Sequence, residues 1–286
     1  MPTADPAEFA VGPEPVLRGS AAGEGTPIVL CHGLTASRRY VIHGSRALER
    51  AGHRVVTYDA RGHGESDPAP AGQSYGYPAL IGDLERVVEA EIGAGERFVL
   101  GGHSMGAHTA VGYALAHPER LGGLVVIGPT YTGEISAASL AYWDGLAEAL
   151  EAGGIDGFVE RLTREGSTAA AWRDSVARIT RERMGLHRDP RELARALRET
   201  PASRPFGSLE ELGGLDVPAL VVASHDEADP GHPYAVAEAY AAALPRARLI
   251  SEDEGRSPLA WQGGRLSREI ALFALEPGVA LSPEHC

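Results

Sequence analysis

The chain has 286 residues, 43% hydrophobic and 23% charged, a balance that can bury a sizeable core and argues against disorder as the main state. All 26 basic residues are Arg and none is Lys, which removes chemistry built on a lysine amine: Schiff-base aldolases, pyridoxal-phosphate enzymes and P-loop nucleotide binders. Against them stand 39 acidic residues, and the formal charge of −13 disfavours nucleic acid and anionic membrane surfaces as partners.

Residues 1–14, rich in Pro, Ala and acid, read as a loose lead-in without the basic start and apolar stretch of a signal peptide. Thr26–Cys31 (TPIVLC) is a short apolar run of the kind buried on both faces of a parallel sheet. A helical stretch over 40–51 ends at Gly52, and HRVVTY forms the next strand, closing at Asp59. Leu80, Leu84, Val87 and Val88 share one face of a helix over 78–92. Then come a strand at 97–102, a small-residue helix at 105–117 and a strand at 124–128. From 130 to 208 the apolar residues recur only at helical spacing, for example Leu146, Leu150, Phe158 and Leu162. Strands at 217–223 and 247–251 alternate with helices at 233–244 and 262–275, and 278–286 is a loose tail.

This alternation predicts an α/β fold: a mostly parallel central sheet with helices on both faces. The core spans 15–129 and 209–277, and 130–208 is an all-helical insertion between them. Cys31 and Cys286 offer neither a disulfide framework nor the spacing of a zinc site, and no metal is expected. No run of 18 uncharged apolar residues occurs, so no membrane span is expected and a cytoplasmic location is the default.

Gly102-His103-Ser104-Met105-Gly106 falls at the junction of a predicted strand and helix. A serine at the apex of so sharp a turn needs small neighbours at −2 and +2, and the following helix aims its first N–H groups at charge developing beside the hydroxyl. Cys31-His32-Gly33-Leu34 also follows a strand, and Asp59-Ala60-Arg61-Gly62-His63-Gly64-Glu65-Ser66 follows another. With these three motifs in this order, residues 15–275 resemble the α/β-hydrolase superfamily, and 130–208 falls where such proteins carry a helical cap. The resemblance implies Ser104 as nucleophile, the backbone N–H groups of Leu34 and Met105 as oxyanion donors, and Asp226, in Ser224-His225-Asp226, as the acid. Asp229 is the second candidate for that role. No organic cofactor is implied, because an activated serine needs none.

The family's catalytic His is missing. The matching position, in Glu254-Gly255-Arg256-Ser257-Pro258, is Arg256, and no His lies between His232 and His285. Arginine stays protonated and cannot accept the serine proton. Three readings stay open. His232, six residues beyond Asp226, folds back as the base of an ester or related carbonyl hydrolase. Alternatively, Arg256 pairs with Asp226 or grips a substrate carboxylate or enolate, and the site runs lyase or isomerase chemistry. In the third, the fold is an inert small-molecule binding protein. His32 and His63 are structural parts of their motifs, and His103 is a packing residue. Tyr131, near the cap hinge, and Trp143 and Trp172 are candidates for the substrate pocket. Among Arg161, Arg164, Arg173, Arg178, Arg181, Arg183 and Arg188, most form a solvated face, with one or two as candidates for an anionic substrate. The expected partner is a small molecule, and a homodimer is compatible with the sequence.

Overall fold

A computed structural model describes residues 5–166, 168–225, 229–252, 261 and 263–279. Strands β1 (Ala7–Val11), β2 (Leu17–Ala22), β3 (Thr26–Cys31), β4 (His53–Tyr58), β5 (Phe98–His103), β6 (Leu121–Ile127), β7 (Ala219–Val222) and β8 (Ala247–Ile250) form one sheet. Their order is β1-β2-β4-β3-β5-β6-β7-β8; β1 and β2 pair antiparallel, as do β2 and β4, and the rest of the sheet is parallel.

The period-2 geometry of a strand splits its apolar residues between two cores. Val29 and Cys31 of β3, Leu100 of β5 and Val126 of β6 face one core. It is completed by helices α2 (Tyr77–Glu91), α3 (Met105–Ala116) and α7 (Tyr234–Ala243). Ile28, Val99, Val125 and Leu220 face the other, against Leu48 of α1 (Ala47–Arg50) and Ile270 and Phe273 of α8 (Gly264–Ala274). Large apolar residues of the middle strands such as Ile28, Val29, Leu100 and Val125 are fully buried, each stabilising the fold by ~1.5–3 kcal/mol relative to exposure.

The lead-in expected to be loose is partly ordered: Ala7–Val11 is an edge strand on β2. Its apolar signal is weak because it is mostly exposed and only Val11 is buried. In β2, Gly19 leaves room for the Phe9 ring, which a Cβ there would meet at 2.2 Å. The helix expected over 40–51 is instead a 3₁₀ turn at Arg38–Tyr40 and the four-residue α1. His43 and Gly44, both at positive φ, break the helical path between them.

Between β6 and β7 the described residues form helices, turns and loops without strands. These include α4 (Ala137–Glu165), kinked at Gly154, α5 (Arg173–Met184) and α6 (Leu193–Glu199). Leu146, Phe158, Met184 and Leu197 share an apolar cluster with Leu34, Tyr77 and Met105, so these helices pack over the carboxyl ends of the central strands. The end of α5 is anchored to the core: His187 Nδ1 accepts from Gly64 N–H at 2.8 Å and Nε2 donates to the Thr35 carbonyl at 3.3 Å. The Arg188 N–H donates to the Gly64 carbonyl at 2.8 Å. No helix among the described residues is long and apolar enough to cross a membrane.

Candidate active site

Ser104 joins β5 to α3 at φ 53° and ψ −115°, a backbone region costly to any residue with a side chain, by ~1–3 kcal/mol. Its N–H donates to the Ile127 carbonyl (3.0 Å) and its carbonyl accepts from His108 N–H (3.1 Å), holding both sides of the strained residue. The two flanking glycines are required by close backbone approach. A Cβ on Gly102 would lie 2.1 Å from the Gly106 carbonyl oxygen, and one on Gly106 would lie 2.2 Å from that of Cys31. The first turn of α3 is thereby pressed against the end of β3.

That approach sets the His32-Gly33-Leu34 segment beside the serine: a Cβ on Gly33 would come within 3.5 Å of Ser104 Cβ. The backbone N–H groups of Leu34 and Met105 donate to no group among the described residues. Both residues are buried, and Met105 opens a helix, so its N–H has no intrahelical acceptor. Two unspent donors beside a strained serine suit an oxygen that gains negative charge.

A second layer of bonds holds the Leu34 loop in place. His32 Nε2 accepts from Ala60 N–H (2.9 Å) while Nδ1 donates to the Gly33 carbonyl (2.8 Å). His63 places Nε2 2.7 Å from the Leu34 carbonyl and Nδ1 2.8 Å from that of Arg61. Asp59 accepts from the Arg38 N–H (2.7 Å) and guanidinium (2.6 Å), and Arg61 forms a two-pronged pair with buried Asp83 at 2.6 and 2.7 Å. The structural roles expected of His32 and His63 match these contacts. Burial pushes the Cys31 thiol up to about 12, so it stays neutral.

Beyond the serine, His232 folds back from the loop after β7. Its Nδ1 lies 2.7 Å from Asp229 Oδ2, and its ring centre 4.8 Å from that of His103, the residue preceding Ser104. Gly128, at the end of β6, makes room: a Cβ there would sit 3.4 Å from both imidazoles. Burial, aided by His232, pushes His103 down to about 3, so that ring is neutral. Burial would raise the Asp229 carboxyl, but nearby His232, His103 and Arg183 outweigh it and hold it below the usual carboxylate range. The carboxylate partner of His232 is therefore Asp229, the second candidate; Asp226 and Arg256 lie outside the described residues. No hydrogen bond joins the Ser104 hydroxyl to an imidazole among the described residues.

His103, Asp229 and His232 bring ligand atoms within 4.8 Å of one another, a set of two imidazoles and a carboxylate that a divalent cation could use. The Asp229–His232 hydrogen bond occupies part of that donor set.

The other predicted site residues divide. The Tyr131 hydroxyl donates to the Phe206 carbonyl (3.1 Å), tying together the two ends of the helical segment. Trp143 is half-buried and packs edge-on against Tyr142, and Trp172 is half-buried at the 3₁₀ turn Ala170–Trp172. Two buried residues went unnoticed in the sequence. His108 accepts the Thr130 and Tyr131 N–H groups at Nε2 and donates from Nδ1 to the Tyr77 hydroxyl; its position four residues after Ser104 on a small apolar helix was the available signal. Glu252 accepts from the Ser224 hydroxyl (2.5 Å), His225 N–H (2.8 Å) and Trp261 Nε1 (3.0 Å), stitching the loop after β7 to the end of β8. No local pattern marks it.

A family model described as alpha/beta hydrolase fold matches residues 26–262. The chain belongs to the alpha/beta hydrolase fold family. Epoxide hydrolase B of Mycobacterium tuberculosis (strain ATCC 25618 / H37Rv) is 37% identical over 110 residues, covering 38% of this chain and 30% of that protein. RutD of Variovorax paradoxus (strain S110), named for carbamate hydrolysis, is 30% identical over 213 residues, 74% of this chain and 77% of that protein. The chain thus spans under a third of the first of these relatives and most of the second. Among solved structures, a thermophilic esterase from Thermogutta terrifontis superposes with a TM-score of 0.73 at 24% identity, covering 94% of this chain and 98% of that one. The enol-lactonase from Burkholderia xenovorans LB400 gives 0.71 at 23%, covering 94% and 100%. These structural likenesses establish the alpha/beta hydrolase fold alone.

Proposed function

We propose that the protein is a serine-dependent hydrolase of an ester or related carbonyl compound. Ser104 attacks the carbonyl carbon and the Leu34 and Met105 N–H groups hold the resulting oxyanion. Its collapse breaks the bond to the leaving alcohol, which departs with the proton taken from serine. Water then attacks the acyl-enzyme to release the acid and restore the serine hydroxyl. His232, oriented by Asp229, takes the serine proton through one bridging water or after the loop closes on substrate. The helices between β6 and β7, within 130–208, act as a cap over the core at 15–129 and 209–277. No cofactor is needed.

The observation that carries this reading is the backbone of Ser104: a serine held at positive φ beside two buried, unspent N–H donors. The absence of a direct serine–imidazole hydrogen bond among the described residues favours a second reading, in which Ser104 and the two amides polarise a carbonyl without forming an acyl-enzyme. A fluorophosphonate probe separates the two. Labelling of Ser104 that Ser104→Ala abolishes supports hydrolysis, and an intact, unlabelled protein refutes it. Where labelling occurs, His232→Ala should abolish it; retained labelling excludes His232 as the base. Arg256→His is the complementary test, since a large gain in esterase activity would mean the native site runs without a conventional triad.

A further inference from the structure

Six of the seven arginines picked out in the sequence have partners in the structure. Arg161, Arg164, Arg178, Arg181 and Arg188 form ion pairs with Glu or Asp, and Arg173 donates to the Thr168 carbonyl. Arg183 differs from all of them. Its Nε is buried without a hydrogen-bond partner, and it forms no ion pair among the described residues. It lies in the last turn of α5, next to Met184, which is fully buried, and close to the His187 anchor on the core.

Contacts just beyond Arg183 bring the end of α5 to the site: His187 bonds the Gly64 N–H and the Thr35 carbonyl, next to Leu34, and the Arg188 N–H bonds the Gly64 carbonyl. Arg183 disfavours protonation of His43, His103 and His187 and favours the anionic form of Asp229. Arg183 thus lies on the end of α5 that is held against the Leu34 loop, and its charge is felt by the residue before Ser104 and by the Asp229–His232 pair. The Asp229 carboxylate favours its cationic form, yet that carboxylate is bonded to His232 and does not pair with Arg183.

A guanidinium with a buried, unsatisfied N–H is costly, and such a group calls for an acceptor from outside the chain. Its planar fork matches a carboxylate better than any neutral group. We propose that Arg183 binds a carboxylate on the substrate, so that the hydrolase acts on esters whose acyl part carries a free acid. This rests on the serine-hydrolase reading above.

Two measurements keep the claims separate. In the first, kcat/KM is compared for 4-nitrophenyl hemiglutarate and 4-nitrophenyl butyrate. Losing a charge-assisted pair should lower the acidic-to-neutral preference of Arg183→Met by ~10–100-fold, with Arg183→Lys in between. An unchanged preference overturns the proposal while leaving hydrolysis standing. In the second, the unreactive amide N-benzylglutaramate is added to Ser104→Ala, and thermal stabilisation is compared with that by neutral N-benzylbutyramide. Stabilisation by the acid alone, lost when Arg183→Met is added, supports Arg183 even if no ester is turned over. Equal stabilisation by both amides, or none, overturns it. Should Arg183→Met fail to fold, Arg183→Gln replaces it in both arms.

Discussion

Substituting Gly106 by Ala tests the packing on which the site depends. The new methyl would lie 2.2 Å from the Cys31 carbonyl oxygen and 2.7 Å from that of His32, both backbone atoms with no side chain to swing aside. The start of α3 must therefore withdraw from β3 by ~1 Å in an interior packed as densely as a crystal. Overpacking costs ~1–3 kcal/mol and rigid backbone puts this case at the upper end. The gain in helix propensity of up to ~1 kcal/mol leaves a net loss of about 2 kcal/mol. At ~2–4 °C per kcal/mol, Tm should fall by ~4–8 °C. The same displacement carries the Met105 amide away from Ser104, and a misplacement of ~1 Å costs about 100-fold in rate. Gly82→Ala is the control: Gly82 lies in α2 with nothing within 4 Å of its Cβ position, so Ala there should raise Tm by ~2–4 °C. Calorimetry and aryl-ester hydrolysis on both variants decide the matter. If Gly106→Ala gains stability as Gly82→Ala does and keeps its rate, the close approach of α3 to β3 is wrong.

Asp229→Asn should lower kcat by ~10²–10⁴-fold by misorienting His232, and Asp226→Asn much less; the reverse order would return the acid role to Asp226. His63→Ala removes the ring against the Leu34 carbonyl and should lower kcat ~10-fold or more with KM little changed; unaltered kinetics would mean the loop holds its shape without His63. Burial pushes His108 and His187 down to about 3, below the ~6.5 of an unfolded histidine. The unfolded chain therefore takes up these protons first, so their contribution is complete above pH ~6.5 and is lost as pH falls towards 3. The loss is up to ~1.4 kcal/mol per pH unit for each ring. Urea unfolding at pH 7, 5.5 and 4.5 should show it, with His108→Gln flattening the slope; a pH-independent free energy would contradict both neutral assignments. Cys31 should resist iodoacetamide in the folded protein and react only after denaturation, and rapid native labelling would contradict its burial.

Contiguous residues carry what local backbone demands. The alternation of apolar strands with helical spacing, the glycines around Ser104 and the two loops after β3 and β4 are each written in a few neighbouring letters, because the constraint they meet is local. The edge pairing of β1 on β2 was not legible, since mostly exposed, weakly patterned residues take their strand geometry from a partner. Tertiary structure alone showed that His232 bonds Asp229, which way the Tyr131 hydroxyl turns and why Glu252 is buried. It also singled out Arg183 among seven similar arginines, because its Nε is buried without a partner where the end of α5 meets the loops after β3 and β4. Those segments are far apart along the chain, so their meeting is a property of packing and no short stretch of sequence encodes it.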